Sequence, residues 1–578
     1  MPASRPRRPL QKEPFDPDMR RPSLPFVVSL CTVLVMAAAT LAAPSAAAAD
    51  LAGLLRERLE QPAPLQAHDE PIIEHTLLRH LYRRNDYRPL WTGTRGITAL
   101  RQWIDRSMEE GLNPDDYHRA ALRVLLDGGP VEGPDAVDLE LLLSDAMLLL
   151  GVHLGTGKVD AARLFREWNY LPDADRAPTS TEVLESLRAG RIGELLAARV
   201  PDGPIYRTLR AALARYRAIR DRGGWPLLPA GPALHPGDCS PRVALLRERL
   251  ARESGDASLE GGDAACFDAV LEQAVRHFQR LHLLEEDGVV GRKTLAELNV
   301  PVHERIDQLR VNLERIRWLH HGLPEDFYAA DLAGFRLYHR QGWSSPIVVG
   351  KAYHQTPAFH DLIEIVEINP TWTVPRSITV REILPELLRD PPGYLRRKDM
   401  ELLTMRGEPV DPATVDWSAL GPLNFPYVLR QRPGPDNALG RIKFLFPNPY
   451  SVYLHDTPAR ELFRHPRRAF SHGCIRVAKA VELGERLLRG NGPQWTAAYI
   501  RELIDAGETV RVRLAQPVPI LIVYLTAMPD LIGGTDAIQF REDIYRRDPR
   551  VLAELDAPPR ERGAALLEEY RRQRGTEW

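Results

Sequence analysis

The pattern of apolar residues changes near Pro324, and this change constrains the fold of the 578-residue chain more than any other feature. Before it, apolar residues recur at helical spacing, as in 139–150 and 209–216. After it come short strand-like runs rich in β-branched residues, such as 347–349. A chain of this length is too long for one hydrophobic core. The sequence therefore predicts a multidomain α+β protein, helical first and mainly β later.

Turn-forming residues and shifts in pattern divide the chain further. A proline- and glycine-rich stretch, Gly223 to Gly237, separates two helical segments, and helical, proline-rich sequence interrupts the strand-like runs. The predicted segments are an apolar N-terminal segment (1–49), a helical scaffold domain (50–232), a small three-helix domain (236–300), a linking helix (301–324), a mainly β domain (325–516) with a lid-like insertion at about 376–437, and a charged, mostly helical tail (517–578).

The N-terminus has the pattern of an export signal. Arg20-Arg21 precede an apolar run from Leu24 to Ala43, and small residues follow up to Ala49. Cleavage after Ala49 would release the protein, whereas an uncleaved run of this length would anchor it in a bilayer. The first 18 residues are polar and proline-rich, which leaves Met19 open as the translation start instead of Met1. We therefore expect the remainder in the periplasm, either released or tethered to the inner membrane.

Export changes how the four cysteines are interpreted. Disulfides persist outside the cytosol, so Cys239 and Cys266, which flank one small helical pattern, are predicted to form a bridge; two buried free thiols are the alternative. Cys31 leaves with the signal if cleavage occurs. Cys474 is then an unpaired thiol in an exported protein, which is a reason to expect reactivity.

The surroundings of Cys474 suggest a nucleophile. A thiol attacks as thiolate, and it needs a base or a positive charge nearby; His455 and Arg476 could supply these. Apolar spacing predicts a helix over 477–488, whose N-terminal partial charge would favour the thiolate. The backbone N–H groups of Gly473 and Cys474 could bind a developing oxyanion.

These residues resemble the L,D-transpeptidase family, whose catalytic domain is called YkuD-like. That family carries a histidine followed at a distance by Ser/Thr-His-Gly-Cys, and this pattern is met here by His455 and Ser471-His472-Gly473-Cys474. Many members have Asn two residues after the cysteine, where this chain has Arg476. Whether Arg476 contacts the donor carboxylate or supports the loop stays open.

The resemblance extends along the chain. The Ala274-Val275-x-x-Phe278-Gln279 and Asp287-Gly288-x-x-Gly291 pieces are similar to a three-helix peptidoglycan-binding domain, and a structural spacer is the alternative. Asn369 to Pro375 and Leu439 to Phe444 are similar to landmarks of the large Gram-negative branch, which has a helical scaffold. The resemblance thus covers nearly the whole mature protein.

The resemblance implies a two-step reaction without metal or other cofactor. Cys474 would attack the third residue of a tetrapeptide stem, and His455, as base and then acid, would protonate the departing D-alanine. An amine of a second stem would resolve the thioester, giving a 3→3 cross-link in peptidoglycan. Carbapenem β-lactams would acylate the same thiol, and cell-wall synthases are expected partners. The residues expected to support the site or bind substrate are Ser471, His472, Gly473, Arg476, Tyr453, Trp372 and Lys443.

Other functions stay open at this point. Water or a protein amine could resolve the thioester, making the enzyme an L,D-carboxypeptidase or a protein-attaching enzyme. The chain could also be a non-catalytic wall-binding scaffold. Cys474 could instead bind a metal together with His455 and His472, although no known zinc spacing is present. With 76 basic and 78 acidic side chains, the chain has no excess charge for binding nucleic acid.

Overall fold

The computed structural model describes residues 46–574, with gaps at 63, 171–175, 262, 320–322 and 535. Most of the predicted signal or anchor, including Cys31, the apolar run and both candidate start sites, lies outside the described residues. None of the described helices is both long and apolar enough to cross a membrane. The multidomain α+β fold class is confirmed.

The first part is helical around one buried helix. Its helices are α1 (Ala46–Glu60), α2 (His75–Arg84), α3 (Thr94–Arg106), α4 (Arg119–Asp127), α5 (Gly133–Thr156), α6 (Ala161–Leu164), α7 (Ser180–Arg188), α8 (Ile192–Ala197) and α9 (Pro204–Asp221), with a short hairpin of β1 (Gln66–Ala67) and β2 (Glu70–Pro71). Every residue of α5 from Glu140 to Thr156 is buried, as expected of a helix that is apolar all round. Helices α2, α3 and α8 pack around it.

A three-helix domain follows, formed by α10 (Pro241–Ser254), α11 (Ala269–Leu281) and α12 (Arg292–Leu298). Its core includes Leu246, Leu271 and Phe278. A disulfide joins Cys239, which precedes α10, to Cys266, which precedes α11. The bridge closes a loop of 27 residues, which removes freedom from the unfolded chain.

The predicted linking helix is α13 (Val302–Leu319), and it is buried among its neighbours. Leu309 and Leu313 pack with residues of α9 and of the C-terminal segment. Arg317 lies fully buried, paired with Glu314 at 2.8 Å, and its guanidinium also donates to Tyr206 of α9 at 2.9 Å. The helix thus connects the scaffold to the C-terminal half through its packing as well as through the chain.

The C-terminal half contains the strands β3 (Tyr328–Asp331), β4 (Arg336–His339), β5 (Ser344–Gly350), β6 (His360–Ile368), β7 (Trp372–Thr373), β8 (Met400–Thr404), β9 (Tyr427–Gln431), β10 (Ile442–Leu445), β11 (Leu454–His455), β12 (Ala469–Ser471), β13 (Ile475–Val477) and β14 (Val510–Val523). Eight of them pair in the order β5-β13-β11-β10-β6-β14-β3-β4, and β4 pairs again with β5. These pairings close the sheet into a barrel.

Strand β5 holds the segment that leads to the predicted nucleophile. The N–H groups of Ile347, Val349 and Lys351 point to one edge because they lie two residues apart. They donate to Phe335 after β3, to Arg468 and to Ser471, respectively. One edge of β5 therefore pairs first with β4 and then, further along, with β12. Strand β12 ends at the Ser-His-Gly-Cys turn.

The insertion folds around a core of its own. Strands β7, β9 and β8 form a three-stranded sheet, and α14 (Arg376–Ile378), α15 (Leu384–Leu387) and α16 (Pro391–Arg397) complete the unit. Leu384, Leu387 and Leu429 are among its buried residues. The sequence prediction, about 376–437, begins after β7, and it missed the strands.

The helical-tail prediction for 517–578 is wrong at its start. Strand β14 runs through Pro517 to Val523 and pairs there in parallel with β3. Proline removes a backbone donor and therefore argues against a strand, but a register shift between Arg513 and Val518 accommodates Pro517. The rest comprises α17 (Ala480–Leu488) and α18 (Ala497–Ala506) before β14, then β15 (Ala527–Pro529), β16 (Ile538–Phe540), α19 (Asp548–Asp556) and α20 (Gly563–Arg574).

Replacing both Cys239 and Cys266 with alanine should destabilise the three-helix domain by about 2–4 kcal/mol, because the unfolded loop regains its freedom. Hydrogen exchange of the α10–α12 amides, followed by mass spectrometry, measures this change. Amides of α17 and α18, which pack in a separate core, serve as the internal control. Unchanged exchange in α10–α12 would contradict a stabilising bridge.

Candidate active site

Two short parallel strands bring the predicted site residues together. Leu454 of β11 lies opposite Ile475 of β13, and His455 lies opposite Arg476. Leu454 and Ile475 are fully buried in the barrel core. Side chains alternate along a strand, so the neighbours of these two point to the other face. The residues that share that face are Tyr453, His455, Cys474 and Arg476.

The Cys474 thiol is half-buried, and Tyr453 contacts it with both its backbone and its side chain. The backbone N–H and the hydroxyl of Tyr453 both face the sulfur, and Ser451 O lies 3.6 Å from it. Burial raises the pKa of the thiol, whereas the Tyr453 hydrogen bonds and the charges of Lys443 and Arg476 act in the opposite direction. The net direction is upward, so the resting group is a protonated thiol at neutral pH.

The predicted helix over 477–488 begins later than expected. Residues 475–477 form β13, inserted between β11 and β5, and α17 starts at Ala480. A helix dipole acts only within about the first turn. The expected stabilisation of the thiolate by a helix N-terminus is therefore absent, because these residues pair as a strand instead.

The turn before Cys474 is held by Ser471. Gly473 has φ of 115°, a conformation that a side chain would strain. Its N–H donates to Ser471 Oγ at 3.2 Å, and Ser471 Oγ donates to the Cys474 carbonyl at 2.6 Å. Thr356 Oγ1 donates to the Gly473 carbonyl at 2.8 Å. The Gly473 N–H, predicted to bind an oxyanion, therefore donates to Ser471 in this structure.

His455 is buried and neutral. Its Nδ1 donates to the carbonyl of Asp456 at 2.5 Å. Burial, with the nearby charge of Arg476, lowers the pKa of His455 to about 3, although the carbonyls of Asp456 and Leu439 oppose this. The Asp456 carboxylate instead accepts from the Arg441 N–H at 3.0 Å. The backbone carbonyl, not the carboxylate, orients the ring.

No hydrogen bond between His455 and Cys474 is present within the described ranges. Cys474 lies two residues before Arg476, the partner of His455, so the two are diagonal neighbours. No contact between the two side chains is needed for this placement, since both belong to the same face of the sheet. Catalytic hydrogen bonds are often long in free enzymes and tighten on substrate binding.

His472 points toward the insertion. Its Nε2 lies 2.6 Å from Glu382 Oε1, and its ring centroid lies 4.9 Å from that of His354. Glu382 belongs to a π turn at Thr379–Ile383, between α14 and α15. Sequence reasoning missed Glu382, and no local signal could have found it, because the contact joins residues 90 positions apart.

A row of charged residues extends across the sheet from His455. Lys443 lies opposite His455, Glu367 opposite Lys443, and Arg511 opposite Glu367. The Lys443 Nζ lies 4.3 Å from the centroid of the Tyr453 ring. Among the described residues, no carboxylate lies within 4.0 Å of the charged nitrogens of Lys443 or Arg476. Two unpaired cations therefore flank the thiol.

The predicted substrate contact Trp372 lies elsewhere. It sits in β7 opposite Gln431, and it packs half-buried against the core of the insertion. The structure thus brings together Cys474, His455, Tyr453, Lys443 and Arg476, and it places Trp372 in the insertion.

The rate of Cys474 alkylation by iodoacetamide should rise roughly tenfold per pH unit from pH 7 to 9, because only the thiolate reacts and the pKa is raised. Lys443→Met should slow the reaction at each pH, since it removes a charge that favours the thiolate. Lys479→Met, at an exposed lysine outside the site, is the control. A plateau below pH 7 would instead indicate a preformed thiolate–imidazolium pair.

Three family models match the chain. A "Scaffold domain" matches residues 76–213, a "Putative peptidoglycan binding domain" matches 239–298, and an "L,D-transpeptidase catalytic domain" of the YkuD family matches 328–512. The last of these contains the barrel strands from β3 to β13, the insertion and Cys474.

Two individual proteins are also similar. A "Putative L,D-transpeptidase" from Haemophilus influenzae is 32% identical over 251 residues, which is 41% of this chain and 49% of that protein. The match thus spans about half the length of that relative. A solved structure, a fused Zn-dependent amidase/peptidase/peptidoglycan-binding domain-containing protein from Clostridium acetobutylicum, is 13% identical, covering 51% of this chain and 100% of that one. Its TM-score of 0.14 supports no structural comparison. On the family matches, this chain carries an L,D-transpeptidase catalytic domain of the YkuD family together with a scaffold domain and a peptidoglycan-binding domain.

Proposed function

We propose that this protein forms 3→3 cross-links in peptidoglycan through a thioester on Cys474. The observation that carries the proposal is the placement of a free thiol beside a buried, neutral histidine on one face of the barrel. Among the described cysteines, two form the disulfide and Cys474 is the free one. The family match supports acyl transfer between stem peptides as the reaction class.

In the first step, His455 takes the thiol proton as the sulfur attacks the carbonyl carbon of the third residue of the donor stem. With its proton held on Nδ1 by the Asp456 carbonyl, the imidazole accepts on Nε2. The C–N bond to D-alanine then breaks, and the imidazolium returns the proton to the leaving amine. The Cys474 N–H is the expected oxyanion donor.

In the second step, the side-chain amine of an acceptor stem attacks the thioester. Its proton passes to His455 and then to the departing thiolate, which regenerates the thiol. The neutral histidine has a free nitrogen to accept a proton in each step, and its low pKa favours the return of that proton to the leaving group. Acyl transfer to an amine instead of water requires that the acceptor excludes water from the thioester.

Lys443 and Arg476 are proposed to bind the donor carboxylate. Both cations flank the thiol, neither has a carboxylate within 4.0 Å among the described residues, and burial lowers the pKa of each. An Arg476 Nε that is buried without a hydrogen-bond partner would gain one from such a ligand. Trp372, at the base of the insertion, stays a proposed contact to the substrate from the insertion.

The disulfide supports an oxidising location, since such bonds persist outside the cytosol. We therefore infer a periplasmic protein, exported by its N-terminal segment. The same thiol would be acylated by carbapenem β-lactams, which mimic the acyl donor.

Incubation with purified tetrapeptide-stem muropeptides should release D-alanine and produce cross-linked dimers, detected by mass spectrometry. Cys474→Ala should abolish both products, and His455→Gln should lower the rate at least about 100-fold because it removes the base. His235→Gln, at an exposed histidine that precedes the peptidoglycan-binding domain, should have no effect.

Two outcomes would contradict the proposal. Accumulation of tripeptides without dimers would show an L,D-carboxypeptidase. Dimers formed equally well by Cys474→Ala would show that the site assignment is wrong.

Wild-type protein should prefer donors whose third residue has a free side-chain carboxylate over donors in which that carboxylate is amidated. The preference should be at least about tenfold, which corresponds to about 1.4 kcal/mol. Lys443→Met and Arg476→Met should reduce this preference, because each removes a cation beside the thiol. The measurement is kcat/KM for D-alanine release from both donors. An unchanged preference in both variants would place the carboxylate contact elsewhere.

A further inference from the structure

A second candidate site lies between the peptidoglycan-binding domain and the barrel. A cavity of about 790 Å³ opens there, and none of the active-site residues named above lines it. Leu283 and Leu284, which follow α11, form one wall. The opposite wall contains Arg336 of β4 with Arg464 and Arg468, from the segment that precedes β12.

Three of the cavity's arginines, Arg336, Arg464 and Arg468, have no acidic partner among the described residues. Arg336 Nη1 donates to Ser344 Oγ at 3.2 Å. Arg468 donates to the backbone carbonyls of His465 at 2.7 Å, Phe335 at 3.0 Å and Ile347 at 3.2 Å. Across the part of the chain that the structure describes, no carboxylate lies within 4.0 Å of the guanidinium groups of Arg336, Arg464 or Arg468.

Holding these cations together is unfavourable without an anion. Arg336 and Arg468 are both half-buried. Burial, and then the charge of Arg336, lowers the pKa of Arg468 to about 10. Three acids also line the cavity, namely Glu285, Glu286 and Asp530. Asp530 Oδ1 accepts from Gln539 Nε2 and the Gly533 N–H, and Glu286 lies 3.8 Å from Arg280. Among the described residues, none of these carboxylates lies within 4.0 Å of Arg336, Arg464 or Arg468. A bound anion would offset the mutual repulsion.

We propose that this cavity binds a carboxylate of a peptidoglycan stem peptide. Guanidinium groups match carboxylates in a bidentate geometry. The apolar side chains of Leu283, Leu284 and Ile532, the last of which is 55% exposed, would cover the aliphatic parts of the peptide. That the ligand is a stem peptide rests on the proposed function, whereas the binding of a carboxylate or another oxyanion at this cavity rests on the arginines alone.

Occupancy of this site would hold a wall strand on both domains at once. Leu284 belongs to the peptidoglycan-binding domain and Arg468 to the catalytic barrel. The Arg468 carbonyl accepts a hydrogen bond from the Val349 N–H. Arg468 itself lies three residues before Ser471, where β12 ends. The cavity therefore lies at the start of the segment that carries the catalytic turn, and a strand bound there would be retained near the thiol.

The test uses the full chain with Cys474→Ala, so that no acyl-enzyme forms. Hydrogen exchange at 283–286 and in β4 is followed during titration with a tetrapeptide-stem muropeptide, and separately with inorganic phosphate. The muropeptide should slow exchange at both segments. Arg464→Gln and Arg336→Gln should raise its half-maximal concentration at least about fivefold.

Arg467→Gln is the matched control, because Arg467 is a neighbouring exposed arginine that pairs with Glu542 at 2.8 Å outside the cavity. It should leave the half-maximal concentration within about twofold. Arg464 is exposed and makes no described ion pair, so Arg464→Gln should keep the native fold, which circular dichroism checks.

Protection by phosphate but not by the muropeptide would overturn the stem-peptide assignment. Equal protection in wild type and in both cavity variants would overturn the site itself. These outcomes are separate from failure of the proposed function, which is measured as dimer formation by the Cys474-containing protein. A protein that makes dimers and shows no arginine-dependent protection keeps its function and loses this second site.

Discussion

The parallel pairing of β11 with β13 is the contact on which the active site depends. It joins only a few residues, but its register decides which side chains share a face. With Leu454 opposite Ile475, the core receives two apolar residues, and the opposite face receives Tyr453, His455, Cys474 and Arg476. A slip of one residue in either strand would send the thiol and its base to different faces. The closed barrel and the Ser471 hydrogen bonds prevent such a slip.

Burial then sets the chemistry of these groups. It lowers the pKa of His455 and raises that of Cys474, so both are uncharged at rest. In the proposed mechanism, charge on this pair arises only during proton transfer, when substrate is present. Meanwhile, Lys443 and Arg476 place positive charge beside the thiol, and no carboxylate of the described residues lies within 4.0 Å of either. The site is therefore suited to a negatively charged donor stem peptide and to a thiolate that forms only during the proposed reaction.

Much of this arrangement could be predicted from the sequence. The motif around Cys474, the proposed base His455 and the disulfide pair are local patterns or follow from the family resemblance. Long-range contacts could not be predicted. The helix predicted over 477–488 begins only at Ala480, because β13 extends to Val477 and its pairing with β11 and β5 lies outside any local pattern. The predicted end of the β domain at 516 falls inside β14, since the register shift that accommodates Pro517 depends on the pairing of β14 with β6. Glu382 and the arginine cavity depend on contacts between distant segments.

The most direct test of the account is to trap and map the acyl-enzyme. Wild-type protein is mixed with a tetrapeptide-stem muropeptide, quenched in acid within seconds, digested and analysed by mass spectrometry. The account predicts an adduct on Cys474 whose mass equals the donor minus D-alanine, and which hydroxylamine removes as expected for a thioester. An adduct on another residue, or dimers formed while Cys474 is never acylated, would contradict it.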